Sequence, residues 1–171
     1  MGQDLKFSAI ESNLNAIIGL VSKNQNIKRL LKYTSNTPLK VTPTQIDIES
    51  SLIDSQIIPD FFDYEITEVA ETKLYIYFLK ADFNSPTSIY RYGVDIVVPN
   101  TLWRLIGTGQ WRYTQVFSEI EKMFDRQYIT GIGQTEGKNS QAGRLKSTNY
   151  NFAHLELTCV NSTRGTTNYN V

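Results

Sequence analysis

Cysteine and histidine are almost absent from this chain of 171 residues, which contains one of each, Cys159 and His154. A single cysteine excludes an internal disulfide, so the chain is unlike small secreted proteins that depend on several bridges. A zinc site built from histidines and cysteines of one chain also needs more ligands than these two residues supply. Two common ways of stabilising a small protein are therefore excluded.

An excess of charge of either sign is also missing. Lys and Arg total 17, Asp and Glu total 17, and the formal net charge is +0. Nucleic-acid binding normally requires clustered cations to neutralise phosphates. The densest basic group, Lys28-Arg29 with Lys32, is short and lies on a predicted amphipathic helix, where we expect a solvated face. Sequence-specific recognition of nucleic acid is therefore not predicted.

Long hydrophobic runs are missing too. No apolar run approaches the roughly 20 residues that span a bilayer, and the N-terminus lacks the cationic start and apolar core of a signal peptide. We therefore expect no membrane partner and synthesis in the cytoplasm. Hydrophobic residues make up 40% of the chain and aromatic residues 12%, which favours a globular, β-rich protein. We expect a single domain over residues 1–160 and a flexible polar tail over 161–171.

The spacing of apolar residues predicts two helices. The first covers residues 8–33, with Ser8 and Glu11 as a capping box and a bend at residues 24–26. The second covers residues 113–126. A long connector over residues 34–60, with a short helical turn near residues 50–57, joins the first helix to the rest of the chain.

Alternation and β-branched or aromatic content predict the strands, which cover residues 64–69, 74–79, 89–98 and 151–160. The middle two should pair as an antiparallel hairpin with its turn at residues 82–87. In the last strand we expect one face, formed by Ala153, Leu155, Leu157 and Cys159, to point into the core, and His154 to lie on the other face. This order predicts an α+β fold, a mainly antiparallel sheet with two helices packed on one face.

A glycine-rich run from Gly131 to Arg144 is the most distinctive local feature. A phosphate-binding loop needs the pattern G-x-x-x-x-G-K-[ST] between a strand and a helix. Position 132 is isoleucine, position 139 is asparagine, and the run follows a predicted helix. We therefore reject a nucleotide site. We expect a mobile loop with Lys138 and Arg144 exposed, which orders against a neighbouring subunit or partner.

Few other residues suggest catalysis. His154 is a candidate general base, although a satisfied or solvent-facing histidine is the simpler interpretation. Cys159 is interpreted as a small core residue on the opposite strand face, so a Cys–His pair is not predicted. Asp47, Glu49 and Asp54 fall in a connecting segment and are expected to be solvated. We predict a protein that is not an enzyme, with no catalytic, cofactor-binding or metal-binding residues and no cofactor.

Aromatic residues of the predicted hairpin offer a surface on which bases could stack, namely Tyr75, Tyr77, Phe78, Tyr90 and Tyr92. The cations between them are few, namely Lys73, Lys80 and Arg91. Packing in the core and in interfaces is therefore the interpretation we favour.

A family resemblance follows from the order of these segments: Ile27-Lys-Arg-Leu-Leu-Lys-Tyr33, Pro38-Leu39, Leu74 to Leu79, Tyr90 to Pro99, the helix over 113–126, and Gly131-Ile-Gly133. An N-terminal helix, a hairpin, a helix and a closing strand without a catalytic set resemble the small neck proteins of tailed bacteriophages. The closest similarity is to tail-terminator (tail-completion) and head–tail connector subunits, and it covers most of residues 8–160.

The resemblance implies a non-enzymatic virion structural protein at the head–tail interface, and above all a tail-terminator or tail-completion subunit. Such subunits form closed rings, often hexamers, which use two different surfaces of each copy. The implied partners are further copies of the chain, the tail tube and the head connector, with the genome passing through the ring. The implied location is the virion, after synthesis in the bacterial cytoplasm.

Other interpretations remain open at this level. The chain could be another neck component, either an adaptor or a stopper. It could also be a monomeric binding module, or a small enzyme of unknown substrate with His154 in a pocket.

Overall fold

The computed structural model of the protein describes residues 4–42, 52–84, 87–106, 108–130, 132–143 and 148–162. Within these ranges the chain forms three α-helices and six β-strands: α1 Asp4–Lys23, α2 Gln25–Lys32, β1 Ile57–Ile58, β2 Lys73–Asn84, β3 Thr87–Pro99, α3 Arg112–Phe124, β4 Tyr128–Ile129, β5 Gly133–Gly143 and β6 Tyr150–Ser162. Single turns of 3-10 helix lie at Pro38–Lys40 and Asn100–Leu102.

Asn24 divides the long N-terminal helix into two. Its side-chain oxygen accepts a hydrogen bond from the backbone N–H of Ile27 at 3.0 Å, so it caps α2 while its extended backbone ends α1. The bend predicted at residues 24–26 is confirmed. The cap predicted at Ser8 is wrong, because α1 already begins at Asp4. Leu5 and Lys6 have high helix propensity, which extends the helix by one turn.

The six strands form one sheet in the order β1-β2-β3-β6-β5-β4. β2 and β3 pair as the predicted antiparallel hairpin. Both strands are longer than predicted and leave only the tip, residues 85–86, outside the described ranges. β6 lies between β3 and β5 at the centre of the sheet, and its predicted core face, Ala153, Leu155, Leu157 and Cys159, is buried.

The helices cover one face of this sheet. Apolar side chains of α1, α2 and α3 pack with those of β2, β3 and β6 in one large core, which includes Ile17, Leu30, Val94, Ile120 and Leu155. The predicted α+β fold is therefore confirmed, with the first helix split in two. On the other face, here named the outer face, a smaller cluster consists of Phe62, Val69, Tyr75, Tyr77, Val97 and Tyr150.

Residues 64–69 do not form the strand that their alternation predicted. The segment lies against the outer face, where Val69 is buried. The backbone N–H of Val69 donates to Oδ1 of Asn149 at 2.7 Å, and the hydroxyl of Tyr150 donates to the carbonyl of Ile66 at 2.8 Å. Packing of this segment against the outer face therefore determined its conformation, and its short alternating pattern did not.

Arg112 is fully buried where α2 ends and α3 begins. Its Nε donates to the carbonyl of Leu102 at 3.0 Å, and its Nη1 donates to those of Leu30 at 2.6 Å and Tyr33 at 3.0 Å. Its Nη2 donates to the carbonyl of Ser35. These carbonyls include the negative end of the α2 dipole, so the cation is satisfied without a carboxylate. Burial lowers the pKa of Arg112 to about 10, which leaves it charged at neutral pH.

The basic residues of α2 do not form the solvated face that we predicted. Lys28 and Arg29 are buried, and only Lys32 of the three is exposed. Arg29 donates through Nη2 to the carbonyls of Leu39 at 2.5 Å and Val41 at 3.1 Å. Because these carbonyls belong to the following segment, Arg29 ties that segment to the helix.

The glycine-rich run forms strand β5, so the expected mobile loop is wrong for residues 133–143. β5 pairs antiparallel with β6, with a register shift between Lys138 and Gln141. Gly133 has a φ of 96°, and a Cβ there would collide with the side chain of Asn161 and the backbone of Val160. Glycine is therefore required where the chain enters the strand. Residues 131 and 144 lie outside the described ranges.

Candidate functional site

A buried carboxylate, that of Asp95, contacts polar side chains from three other segments of the outer face. Its Oδ1 lies 2.6 Å from Nδ1 of His154. Its Oδ2 accepts a hydrogen bond from the hydroxyl of Tyr77 at 2.8 Å and one from the hydroxyl of Tyr64 at 3.4 Å. The Asp95 side chain is 2% exposed and that of His154 is 25% exposed. These four residues are named the Asp95 cluster.

Strand register brings the Asp95 cluster together. Asp95 on β3 lies opposite Tyr75 on β2 and opposite His154 on β6. Tyr77 follows on the same face of β2, opposite Gly93. A Cβ at Gly93 would lie only 2.5 Å from Cζ of Tyr77. The missing side chain therefore lets the tyrosine ring lean across β3 and reach Asp95.

The environment of the cluster changes the pKa of each partner of Asp95. The hydrogen bond with Asp95 is the main reason why the pKa of His154 is raised, and the charges of Asp95 and Glu156 add to it while burial opposes it. Burial, followed by the contacts with Asp95, raises the pKa of Tyr77 and Tyr64. Both phenols therefore remain protonated donors, and His154 holds its proton more tightly than a free histidine.

The contact between Asp95 and His154 is the arrangement in which a carboxylate orients an imidazole as a general base. Because Nδ1 faces Asp95, Nε2 is the nitrogen left to meet another group. Cys159 does not supply a nucleophile, since it is fully buried on the helix-covered face. Burial also raises the pKa of its thiol to about 12, so it is protonated at neutral pH. Sequence reasoning found His154 but not Asp95, because their pairing depends on register between distant strands.

Two open clefts are lined by residues other than the four of this cluster. One of about 220 Å³ lies beside the segment over residues 66–71 and includes Lys73 and Tyr75. Another of about 400 Å³ is lined by Asn36, Arg104 and their neighbours. His154 lines neither of these two clefts.

The aromatic residues considered for base stacking are held in packing contacts. Tyr90 and Tyr92 are buried in the helix-covered core, and Tyr75 and Tyr77 are buried in the outer-face cluster. Phe78 packs edge to face against Tyr92, with ring centroids 5.9 Å apart. Their rings are therefore not available as an open stacking platform.

Of the three candidate carboxylates, the structure describes only Asp54. Asp54 lies in a tight turn with a φ of 63°, and its backbone N–H donates to the carbonyl of Ile57 at 2.9 Å. Asp47 and Glu49 fall outside the described residues. In the part of the chain that the structure describes, no group of three or more His, Cys, Asp or Glu side chains is placed to hold a metal ion.

In the part of the chain that the structure describes, the sheet has an open edge on each side. β1 pairs with β2 only at Leu74 and Tyr75, and among the described residues no strand pairs with the rest of that edge. β4 pairs with β5 only at Gly133 and Gln134. Within the described ranges, the outer edge of β5 is likewise uncovered from residue 137 to residue 143.

Several large apolar side chains are exposed around the molecule: Phe61, Tyr64, Ile66, Leu79, Ile106, Trp111 and Tyr128. Leu79 lies on the open edge of β2, and Tyr128 lies on β4 at the other edge. Trp111 stacks with Tyr113, with ring centroids 5.7 Å apart. Single exposed apolar residues are ordinary on protein surfaces. Their presence at both sheet edges is compatible with edges that bind another protein chain.

A family model described as YomW matches residues 24–159, from the cap of α2 to the last strand. The family's name is of the style given to proteins of Bacillus prophages, which indicates a phage-associated protein. No curated protein matches the sequence. Over the described ranges, none of the helices has the length and apolar character that crossing a bilayer would require.

Proposed function

The chain belongs to the YomW family, and because this membership associates it with phages we propose that it is a virion structural protein at the head–tail interface. In this proposal it is a tail-terminator or tail-completion subunit, which forms a closed ring and joins the tail tube to the head connector. It acts by binding alone, without catalysis and without a cofactor. It is made in the bacterial cytoplasm and ends in the virion.

One observation carries this proposal: among the described residues, the sheet is open on two sides that differ in sequence and shape. One open side is formed by β2 behind β1, and the other is formed by β5 behind β4. Open strand edges present unpaired backbone groups, which other chains can bind. Two different edges on opposite sides suit a contact between unlike surfaces, which is the type of contact that generates rings.

The remaining exposed apolar groups suit the other partners of a neck ring. Trp111 is 48% exposed and Ile106 is 64% exposed, and both precede the start of α3. Large aromatic residues are enriched where proteins bind each other. We assign this region to contacts with the tail tube or the head connector.

The proposal is tested by native mass spectrometry and negative-stain imaging of the purified protein, alone and with tail-tube or connector proteins of the same phage. We expect closed rings. Binding to the tail tube would favour a tail terminator, and binding only to the connector would favour an adaptor or a stopper. A strict monomer at micromolar concentration that binds none of these partners would overturn the proposal and favour a monomeric binding module.

The Asp95 cluster favours a second candidate, a small enzyme that uses His154 as a general base. The carboxylate–imidazole contact of 2.6 Å is its support. A screen of hydrolase substrates with the wild type and His154→Ala tests it. Turnover that is lost in the variant while the fold is retained would support this candidate. Equal background rates would rule it out.

A further inference from the structure

The two open edges are offset along the strand direction. The row Tyr75–Asp95–His154–Gln141 crosses the sheet from β2 to β5. β1 covers β2 at this level, whereas no strand of the described residues covers β5 there. A second row runs from Asp82 on β2 to Gln134 on β5. At that level β4 covers β5, and within the described ranges no strand covers β2.

The strand directions on the two edges are opposite. β3 is antiparallel to β2, β6 is antiparallel to β3, and β5 is antiparallel to β6. β5 therefore runs antiparallel to β2. If the β5 edge of one copy met the β2 edge of another with the helices on the same side, the alternation of strand directions would continue without a break.

We propose that β5 of one copy pairs with β2 of the next copy, as an antiparallel continuation of the sheet through the ring. The inference rests on the proposed ring and identifies its subunit contact. The paired segments are residues 137–143 of β5 and the part of β2 from Tyr77 onward. The occupant of each open edge is thus a second copy of this chain.

β1 and β4 set the offset of this contact. β1 occupies the position beside β2 that an incoming β5 would take at Leu74 and Tyr75, so β5 must lie further along β2. β4 imposes a shift in the same direction, since it already lies beside Gly133 and Gln134, where β2 of the next copy would otherwise pair with β5. Without a shift, Gln141 would lie beside Tyr75 of the next copy. A shift by an even number of residues keeps the helix-covered faces of the two copies on the same side. The smallest even shift at which the paired strands avoid both β1 and β4 places Gln141 beside Lys80 of the next copy.

A constant offset between copies is also what closing a sheet on itself requires, because strands of a closed sheet are tilted and staggered. Each open edge carries one irregularity, between Phe78 and Lys80 in β2 and between Lys138 and Gln141 in β5. Irregularities of this kind pin register and discourage pairing with unrelated strands. The edges are therefore open to one partner in one register.

Cysteine cross-linking tests the contact. Lys80 and Gln141 are both exposed, and within one chain their strands are separated by β3 and β6, a span of roughly 14 Å. A disulfide in the variant Lys80→Cys/Gln141→Cys can therefore form only between copies. We expect mild oxidation of assembled rings to give a ladder on a denaturing gel that ends at the covalent ring. Cys159 is retained in every variant because it is fully buried.

Controls separate this contact from random collisions. The variant Lys122→Cys/Gln141→Cys places one cysteine on the exposed side of α3 and the other on β5. Because the proposed contact does not involve α3, this variant should give no ladder. A mixture of the single variants Lys80→Cys and Gln141→Cys should give dimers and nothing larger. Either single variant alone should give no product. The mixture also tests the contact if the double variant does not assemble.

The outcomes distinguish the inference from the proposed function. Rings that give the ladder support both. Rings without a ladder in the double variant and without dimers in the mixture overturn the edge pairing and leave the ring function standing. A ladder of equal strength in the control pair also overturns the edge pairing. A protein that forms no rings and binds no neck partner overturns the proposed function itself.

Discussion

The ring of Tyr77 occupies the space that a side chain at Gly93 would need, since a Cβ there would lie 2.5 Å from Cζ of the tyrosine. Gly93→Ala should force the ring away and break the hydrogen bond from Tyr77 to Asp95. A buried carboxylate would then lose one of its donors. We expect the free energy of unfolding to fall by about 2–4 kcal/mol, as measured by urea denaturation followed by circular dichroism.

Gly137→Ala is the matched control on another strand of the same sheet. Its Cβ would meet only Cγ of Glu121 at 3.8 Å and Cδ1 of Leu155 at 3.9 Å, which are ordinary contacts. We expect its free energy of unfolding to stay within about 1 kcal/mol of the wild type. Equal effects of the two substitutions would show that the position of Tyr77 does not depend on Gly93.

The Asp95–His154 pair should make stability depend on pH. The pKa of His154 is raised in the folded protein, so its proton binds more tightly there than in the unfolded chain. Its contribution is complete below the ordinary histidine pKa of about 6.5. It is lost as the pH rises through the raised folded-state value. The stability advantage of the wild type over His154→Gln should therefore shrink with rising pH.

Urea denaturation of both proteins at about pH 5.5, 7 and 9 measures this difference. Glutamine retains an amide that can donate to Asp95, so the comparison isolates the titrating group from the hydrogen bond. A difference that stays constant or grows towards alkaline pH would contradict the pairing.

The buried cation at the end of α2 should be costly to remove. Arg112 donates to the carbonyls of Leu30, Tyr33, Ser35 and Leu102, so Arg112→Met would leave buried acceptors without donors. We expect a loss of about 3–5 kcal/mol in the free energy of unfolding. Arg112→Lys should lie in between, because one ammonium group cannot reproduce the guanidinium geometry.

Thermal unfolding followed by near-ultraviolet circular dichroism is suitable here, since Trp103 and Trp111 lie in the connection before α3. Arg104 is exposed, and Arg104→Met serves as the control, with an expected change within about 0.5 kcal/mol. A similar loss in both variants would mean that burial of Arg112 is not the cause.

The boundary between α1 and α2 should depend on one side chain. Asn24→Ala removes the acceptor for the N–H of Ile27 and should cost about 1 kcal/mol. Asn26→Ala alters a nearby exposed asparagine that bonds to Glu119 at 3.2 Å, and we expect a few tenths of a kcal/mol. Chemical denaturation measures the free energy of unfolding of both variants. An equal decrease in Asn24→Ala and Asn26→Ala would argue against the cap.

Long periodic segments were predictable from the sequence because their signals are local. The helix over residues 113–126, the hairpin strands and the bend at residues 24–26 follow from apolar spacing and from residues that cap or break helices. The buried set on β6 was also correct, since alternation fixes the two faces of a strand. The short strand over residues 64–69 was wrong, because its few residues are decided by packing against the outer face.

The glycine-rich run shows the limit of local reasoning. Gly137 and its neighbours have low strand propensity, so the sequence favoured a loop, yet β6 supplies a long partner strand and the run pairs with it as β5. Local chemistry argued against a phosphate site but could not show that the run forms a strand of the sheet. The expectation that this region binds a neighbouring subunit remains a proposal, and it now concerns a strand.

The sequence by itself determined the α+β class, the main helices and strands, and the lack of cysteine and histidine ligands for a zinc site. These depend on composition and on spacing within short windows. Only the tertiary structure decided that Asp95 meets His154 and that Arg112 is paired with four backbone carbonyls and not with a carboxylate. It also decided that, among the described residues, the two sheet edges are open at opposite ends. The reason is that strand register and burial join residues far apart in the chain, and no local pattern records which distant residue lies opposite.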